Sequence, residues 1–247
     1  MKKIFLFLIA GLFILSGCSP SPQSEKDIIE AHILENFENK SEILLQHPSW
    51  WSKDADFFLE DGVWKLKASG THISETWKTY KDALPPDQDW SVSVDVTIPY
   101  YWDTMETEEA QVGAGVFVGK VDSDKKSRTV YETNLAAIAN GIRFVQGQLI
   151  KNRLGDDPVA VGFMKTDKET ANLKVSWDCQ NQQIQFFMDD ILVDVKYINE
   201  KGIHDWKMQN DKFYVGVMGF AENTDITDHY PSVDNFEIVI KEKQLNF

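Results

Sequence analysis

Acidic side chains that lie close together in the sequence are the first candidates for chemistry. In the segment METEEAQ, Glu106 and Glu108 are two residues apart. If the segment were a strand, both carboxylates would lie on one face, because successive side chains alternate. Two carboxyl groups ~5 Å apart are what a retaining glycosidase needs, one as nucleophile and one as acid. The chain has 39 acidic residues, so we favour a chance cluster over an acid–base pair.

Acids gathered by a turn can also bind a hard cation such as Ca²⁺, which takes several oxygen ligands. The segment NTDITDHYPSVD contains Asp225, Asp228 and Asp234, and KVDSDKKS contains Asp122 and Asp124. Neither segment has the glycine and terminal glutamate of an EF-hand loop. We keep Ca²⁺ at Asp225, Asp228 and Asp234 as a hypothesis beside the preferred interpretation, solvated loop acids, and we predict no other cofactor.

Exposed aromatic rings are candidates for binding sugars, because a ring stacks on the apolar face of a sugar while nearby polar groups bond its hydroxyls. The segment IPYYWDTMETEE carries Tyr100, Tyr101 and Trp102 among acids, and IHDWKMQND carries Trp206. An equally weighted alternative is that these rings cover one end of the fold. For Trp50, Trp51 and Trp64 we predict that Trp64 and one ring of the pair pack in the core, the usual place for an aromatic side chain.

The N-terminus carries a targeting signal. Lys2 and Lys3 precede an apolar run from Ile4 to Leu15, as in a secretory signal peptide. Twelve residues at ~1.5 Å each are too short to span a bilayer core. The following Leu-Ser-Gly-Cys resembles the bacterial lipobox, which implies cleavage before Cys18 and acylation of Cys18 by chains such as palmitate. The resemblance implies a membrane anchor in the cell envelope, and Ser19 implies the outer membrane if the host is Gram-negative.

Composition restricts the partners. The formal net charge is −14, and loss of residues 1–17 makes it two units more negative because Lys2 and Lys3 are removed. Nucleic acids and anionic polymers need cationic surfaces, so neither is an expected ligand. Cys179 is the remaining cysteine once Cys18 is lipidated, which rules out an intramolecular disulfide. No motif of a cysteine-dependent enzyme surrounds Cys179, so we expect it to be inert.

Most of the chain after residue 56 alternates apolar and polar residues with period two, which is typical of strands. Turn signals separate the runs, among them Glu60-Asp61-Gly62, Gln146-Gly147-Gln148 and Asp178-Cys179-Gln180-Asn181. No long helical pattern intervenes, so the pattern predicts an all-β antiparallel sandwich or barrel. Before it, SPSPQSEK predicts a flexible tether, and apolar spacing over residues 27–36 favours a short helix. The runs with buried alternate positions are Val92–Ile98, Val112–Val118, Leu173–Trp177, Ile184–Met188, Ile191–Val195, Phe213–Val217 and Phe236–Ile240.

The order of these segments resembles the concanavalin A-like lectin/glucanase jelly roll. It runs through LENFENKSEILLQHPSWW, DGVWKLKASG, DWSVSVDVTIP, VGAGVFVG, LKVSWDCQNQQIQFFMDDILVDV, FYVGVMGFAEN and SVDNFEIVI. The resemblance implies that the first and last strands pair, which fits the echo of ENF in DNF. One departure is the turn at Asp189-Asp190, where Asp-Gly or Asn-Gly is usual, so we expect a longer turn or another type.

The resemblance suggests carbohydrate as ligand, although a fold does not imply a function. Glucanases of this fold carry Glu-x-Asp-x-x-Glu on one strand, its lyases use Gln-x-His, and neither motif occurs here. Gly-x-Ser-x-Gly is also absent, while a Ser-His-Asp set stays open from spacing alone. We therefore predict a signal peptide (1–17), a lipidated Cys with tether and helix (18–34), and a sandwich domain (35–247) that binds glycans without catalysis. The alternatives are a polysaccharide-degrading enzyme with an unrecognised acid pair, and an adhesion module with a protein partner.

Overall fold

The computed structural model describes residues 29–37, 44–46, 55–69, 74–99, 110–121, 128–138, 141–151, 160–197 and 213–242. Within these ranges the chain is built from antiparallel strands, and none of them contains a helix long and apolar enough to cross a membrane. The strands are β1 (Ile29–Glu35), β2 (Leu44–Gln46), β3 (Ala55–Glu60), β4 (Val63–Ala68), β5 (Ser74–Tyr80), β6 (Trp90–Thr97), β7 (Gln111–Val121), β8 (Arg128–Ile138), β9 (Ile142–Lys151), β10 (Ala160–Thr166), β11 (Thr170–Asp178), β12 (Gln183–Met188), β13 (Ile191–Tyr197), β14 (Tyr214–Glu222) and β15 (Ser232–Lys241).

The strands form two sheets packed face to face, which confirms the predicted all-β sandwich. The eight-stranded sheet has the order β13-β12-β11-β6-β15-β4-β3, with β1 also paired to β15. The seven-stranded sheet has the order β10-β9-β8-β7-β14-β5-β2. The pairing of β1 with β15 confirms that the first and last strands meet, and it places Glu35 opposite Phe236.

The main core fills the space between the sheets. The predicted alternation is confirmed along β6, β11 and β12, and on β15 from Phe236 to Ile238. On β14 successive residues are buried, and the predicted core positions Val215 and Val217 belong to the main core. Trp90 and Trp177 pack on Phe213 with ring centroids 4.8 and 5.1 Å apart, and Trp64 lies with Phe37 in the same core. Trp64 is therefore a core residue as predicted, whereas Trp50 and Trp51 lie outside the described residues.

Four local predictions are wrong, and each has a physical reason. The short helix at residues 27–36 is strand β1 from Ile29 onward, because β15 offers a free edge for backbone pairing. Gln146-Gly147-Gln148 is the middle of β9 and not a turn, because Gly147 leaves room for the ring of Phe186. A Cβ on Gly147 would lie 2.5 Å from that ring.

The third correction concerns the turn between β12 and β13. Met188 pairs with Ile191, so Asp189 and Asp190 form a two-residue turn, with φ of 48° and 63°. Positive φ at both central residues is the type I′ geometry that usually selects Asn-Gly or Asp-Gly. Asp189 supports this backbone by accepting the Asn172 amide N–H at 2.9 Å. The turn is thus the usual hairpin type, built without glycine.

Strand β13 also departs from its predicted pattern. The register of β12 and β13 shifts between Phe186 and Phe187, so Asp194 lies opposite Phe186. As a result Ile191 and Leu192 are about half exposed at the edge of the eight-stranded sheet. A bulge on an edge strand re-aims side chains in this way.

Candidate functional site

The central strands of the seven-stranded sheet are buried on both faces. One face joins the main core, and the other face, called the outer face below, carries a separate hydrophobic cluster. Side chains of the two clusters alternate along β7, β8 and β14, as period two requires. At the centre of the outer cluster, Trp77 and Phe117 meet edge to face with centroids 4.6 Å apart. Its buried members are Trp77, Phe117, Val130, Ala136, Met218 and Phe220, with Phe144 packed against them.

Polar side chains lie beside these rings on the same face. On β8, Glu132 and Asn134 alternate with core residues, and on β9 Gln148 lies directly opposite Glu132. Phe117 of β7 is the neighbour of Glu132 on the other side, and Gly115 is the neighbour of Asn134. Strand pairing therefore places one carboxylate and two amides next to the aromatic cluster. We call Glu132, Asn134 and Gln148 the polar triad.

The polar triad is connected by hydrogen bonds. Asn134 Nδ2 donates to Glu132 Oε1 at 3.1 Å, and Gln148 Nε2 donates to the same oxygen. The three side chains are at most 6 % exposed. Burying polar groups costs free energy unless they are hydrogen-bonded, so these bonds hold the carboxylate in place. Because Asn134 Nδ2 faces Glu132, the amide orientation is set, and Asn134 Oδ1 has no hydrogen-bond partner in the described part of the chain.

Gly115 is essential to the shape of this face. A Cβ at Gly115 would lie 2.0 Å from the backbone oxygen of Thr133, so no other residue fits there without moving a strand. Gly115 is itself buried, and its register neighbours on the two adjacent strands are Asn134 and Met218. Glycine within a strand often marks such a close approach of backbone or ligand.

A second acid, Glu75, lies at the opposite side of the outer face. It is on β5 and accepts a hydrogen bond from Trp77 Nε1 at 3.4 Å. Glu75 and Glu132 are separated by three strand spacings and by four residues along the strands. Typical sheet dimensions make this roughly 20 Å. Glu75 is therefore no partner for Glu132; the acid on the same face as Glu75 and near it is Glu222, two residues beyond Phe220, which pairs with Glu75.

Comparison with known proteins adds a fold assignment. No protein-family model matches the sequence, and no curated protein matches it either. Among solved structures, the CBM2 module of the evolved Dit of Lactobacillus casei BL23 phage J-1 gives a TM-score of 0.55 at 9% identity, covering 86% of this chain and 96% of that chain. The winged bean acidic lectin complexed with methyl-α-D-galactose gives 0.51 at 10% identity, with 85% and 98% covered. The laminarinase catalytic domain from Thermotoga maritima gives 0.50 at 12% identity, with 87% and 98% covered.

The chain has a concanavalin A-like jelly-roll fold. The expected resemblance is thereby confirmed at the level of fold. At these identities the likeness carries no residue roles, so the chemistry of this jelly roll has to be argued from its own side chains.

Most residues predicted as a site lie outside the described part of the jelly roll. This holds for the aromatic candidates Tyr100, Tyr101, Trp102 and Trp206, for Glu106 and Glu108, and for the lipidation site Cys18. Binding and lipidation by these residues stay predictions.

The three aspartates suggested for Ca²⁺ are described. Asp225 and Asp228 are exposed near the start of β15, and Asp234 lies on β15 opposite Asp95 of β6. Burial and the charge of Asp95 raise the pKa of Asp234. Across the described ranges no group of three or more His, Cys, Asp or Glu side chains is placed to hold a metal ion. The structure thus does not assemble these aspartates into a ligand set.

A serine, a histidine and an acid do come together, but in the wrong order for nucleophilic catalysis. His32 Nε2 lies 2.6 Å from Glu237 Oε1, and Ser93 Oγ donates to Glu237 Oε2 at 3.3 Å. A catalytic triad needs histidine between the serine and the acid, so that it can take the serine proton. Here Glu237 lies between the other two, and this cluster of the jelly roll is structural.

The polar triad is not evident from the sequence. Glu132 and Asn134 look like the solvent face of a strand, and Gln146-Gly147-Gln148 looks like a turn. The sequence signal that could have indicated them is the set of neighbouring residues. On β8 they alternate with Tyr131 and Leu135, and the adjacent strand β7 has glycines at two alternate positions, Gly113 and Gly115. A glycine-rich strand next to polar–apolar alternation indicates a face that is approached closely, and not a solvated one.

Cys179 should be unreactive. Burial, together with the neighbouring carboxylate of Asp89, raises the pKa of its thiol from 9.0 to about 12. Only the thiolate is nucleophilic. At pH 8 we expect Cys179 to react with iodoacetamide at least about a hundredfold more slowly in the folded protein than in urea, measured by peptide mapping. Asp89→Asn is the control and should speed labelling. Equal rates in folded and unfolded protein would contradict the prediction.

Proposed function

We propose that this protein is a cell-envelope lipoprotein whose jelly roll binds a neutral carbohydrate on the outer face of the seven-stranded sheet, without hydrolysing it. One observation carries the proposal: the polar triad lies directly beside the aromatic cluster of Trp77 and Phe117. Sugars combine apolar C–H faces with hydroxyls, and sites that bind them pair aromatic rings with a few fixed polar groups.

The hydrogen-bonding capacity of the triad matches hydroxyl groups. Asn134 Oδ1 is a fixed acceptor with no partner among the described residues, and a hydroxyl is a donor. Glu132 is pre-positioned by two amides, so binding would cost little ordering of its side chain. The net charge of −14 favours a neutral ligand over an anionic one. A fold shared with a lectin in complex with methyl-α-D-galactose supports the proposal as an analogy.

The spacing of acids favours binding over hydrolysis. Glycosidases of both stereochemical classes need two carboxyl groups ~5–9.5 Å apart. On β8 the positions that share a face with Glu132 are Val130, Asn134 and Ala136, which have no carboxyl group. Glu75 is roughly 20 Å away by strand geometry. Within the described strands, Glu132 therefore has no second carboxyl group at the spacing of a hydrolase pair.

Affinity electrophoresis tests the proposal. The full chain, in a non-ionic detergent without a sugar headgroup, is run in native gels containing laminarin, barley β-glucan or galactomannan. We expect at least one polysaccharide to retard it. Asn134→Ala should weaken retardation about tenfold or more, because a hydrogen bond in a buried site is lost.

Asn172→Ala is the matched control. Asn172 also donates its amide to a carboxylate, Asp95 Oδ1 at 2.8 Å, but it lies on the other sheet. Retardation should be unchanged in this variant. Retardation by none of the polysaccharides, or equal loss in both variants, would overturn the proposal. Release of reducing ends that disappears in Glu132→Gln would show that the protein is an enzyme.

The proposed lipid anchor depends on acylation of Cys18, and a separate experiment tests it. Cys18→Ala should abolish acylation, and the protein should move from the detergent phase to the aqueous phase in phase partition. The reason is that each buried CH₂ of an acyl chain contributes ~0.8 kcal/mol to membrane binding. Cys179→Ala is the control and should stay in the detergent phase. A Cys18→Ala protein that still partitions into detergent would contradict lipidation.

A further inference from the structure

An exposed aromatic ring lies at the edge of the outer face. Phe163 is on β10, the edge strand of the seven-stranded sheet, and is 69% exposed. Single exposed apolar residues are common, so exposure alone assigns no role. What distinguishes Phe163 is its register: it pairs with Gln146 of β9, and Gln146 pairs with Asn134 of β8. Because register partners share a face, the three side chains form a row across three strands.

Solvent exposure decreases along this row toward the polar triad. Phe163 is exposed, Gln146 is half-buried, and Asn134 is fully buried. Neighbouring strands are ~4.8 Å apart, so the row is about 10 Å long. Ile142, at the end of β9, is also partly exposed. The outer face is thus open to solvent at its β9–β10 side, and the row runs from that side to the buried Asn134 Oδ1, which has no hydrogen-bond partner in the described part of the chain.

We propose that Phe163 is the stacking platform of a subsite for an extended neutral glycan, which crosses β10, β9 and β8 along this row. This proposal rests on the proposed function. One sugar stacks on the Phe163 ring, and its neighbour bonds Gln146, whose amide is both donor and acceptor. The innermost sugar donates a hydroxyl to Asn134 Oδ1. A pyranose in an extended chain advances by about one strand spacing, so each sugar meets one strand.

A second copy of this chain is a weaker candidate for covering Phe163. Lys165 is exposed on the same face of β10, two residues along, and lysine on an edge strand opposes edge-to-edge pairing. The same lysine supplies a control for ligand charge. Stacking on a neutral sugar does not need it, whereas an acidic sugar would.

The test compares variants in the affinity gels described above, with the polysaccharide that retards the full chain. Phe163→Ala should weaken retardation about tenfold, as for other aromatic platforms, and Phe163→Trp should retain it. Leu192→Ala removes a half-exposed apolar side chain from the edge of the other sheet and should have no effect. Lys165→Gln should leave retardation within twofold. Thermal unfolding should be unchanged in all four variants, because the side chains contribute little to the core.

The outcomes separate the two proposals. Loss of retardation in both Asn134→Ala and Phe163→Ala supports the subsite. Loss in Asn134→Ala alone overturns the subsite and leaves the proposed function intact, whereas loss in neither overturns both. Gels that contain the acidic polysaccharide polygalacturonate test the ligand's charge: retardation that occurs only there and requires Lys165 overturns the neutral ligand. If light scattering shows a dimer that Phe163→Ala dissociates without changing retardation, Phe163 belongs to an interface between copies and the subsite is wrong.

Discussion

Replacing Phe186 by Ala should lower the free energy of unfolding by about 3–5 kcal/mol, the range for deleting a large buried ring. Phe186 is fully buried in the main core, and its ring packs over Gly147 of the facing sheet and 6.5 Å from the Tyr131 ring. Deleting the ring leaves a cavity between two sheets, which cannot close without moving backbone. Urea unfolding at equilibrium measures the loss, with an unchanged m-value as the sign that the transition is still the same one.

Phe187→Ala is the control for this prediction. Phe187 is the next residue on β12, so it points away from the core, where Lys174 Nζ lies 5.0 Å from its ring centroid. An exposed cation–π contact contributes ~0.5–1 kcal/mol, so this variant should lose no more than about 1 kcal/mol. A loss at Phe187 that equals the loss at Phe186 would mean that the strand presents its other face to the core.

The sandwich could be predicted because the alternation of buried residues follows directly from the pleat of a strand. Val92, Val94 and Val96 are buried on one side of β6 as the sequence indicates. The echo of ENF and DNF was also informative. Both segments end in a phenylalanine of the main core, Phe37 and Phe236. The residues of β1 just before Phe37 pair with β15 from Phe236 onward.

Other features depend on contacts that are distant in sequence. Along β1, Ala31 and Ile33 are half-buried while Leu34 is exposed. The apolar spacing of this segment is therefore compatible with a helix, and only its pairing with β15 identifies it as a strand. Gly147 signals a turn unless the Phe186 ring from the other sheet is placed over it. Tertiary contacts override local preference in both cases.

The candidate site was hidden for a related reason. Polar residues on a strand are normally solvated, so the alternation of side chains predicts that Glu132 and Asn134 lie on a solvent-exposed face. Their burial against a second apolar cluster appears only when β5, β7, β8 and β14 lie side by side. The sequence signal for glycan binding, aromatic residues beside acids, indicates Tyr100–Trp102. On the outer face the aromatic residues next to acids are Trp77, which donates to Glu75, and Phe117, which lies opposite Glu132.

Removing Glu132 should destabilise the protein. Glu132→Ala leaves the buried amides of Asn134 and Gln148 without the oxygen to which both donate. Each orphaned buried donor costs ~1–3 kcal/mol, so we expect the two to lower the free energy of unfolding by about 2–6 kcal/mol, measured by urea unfolding. Lys174→Ala, which removes an exposed ion pair with Asp190, is the control and should change stability by less than about 1 kcal/mol. A Glu132→Ala protein of unchanged stability would contradict the buried triad.

Replacing the whole triad should separate its structural role from its binding role. Replacing every member of a buried polar network by an apolar residue of similar volume is often neutral or stabilising, because no group is left unpaired. The triple variant Glu132→Leu, Asn134→Leu and Gln148→Leu should therefore be more stable than Glu132→Ala, by about 2 kcal/mol or more. It should also show no retardation in polysaccharide gels.

If the triple variant is instead the less stable of the two, the triad exists to hold the sheet together. If it binds the polysaccharide as tightly as the native chain, the ligand lies elsewhere. A stable protein without binding is the result that a binding site predicts, because the triad then lowers stability in order to recognise a ligand.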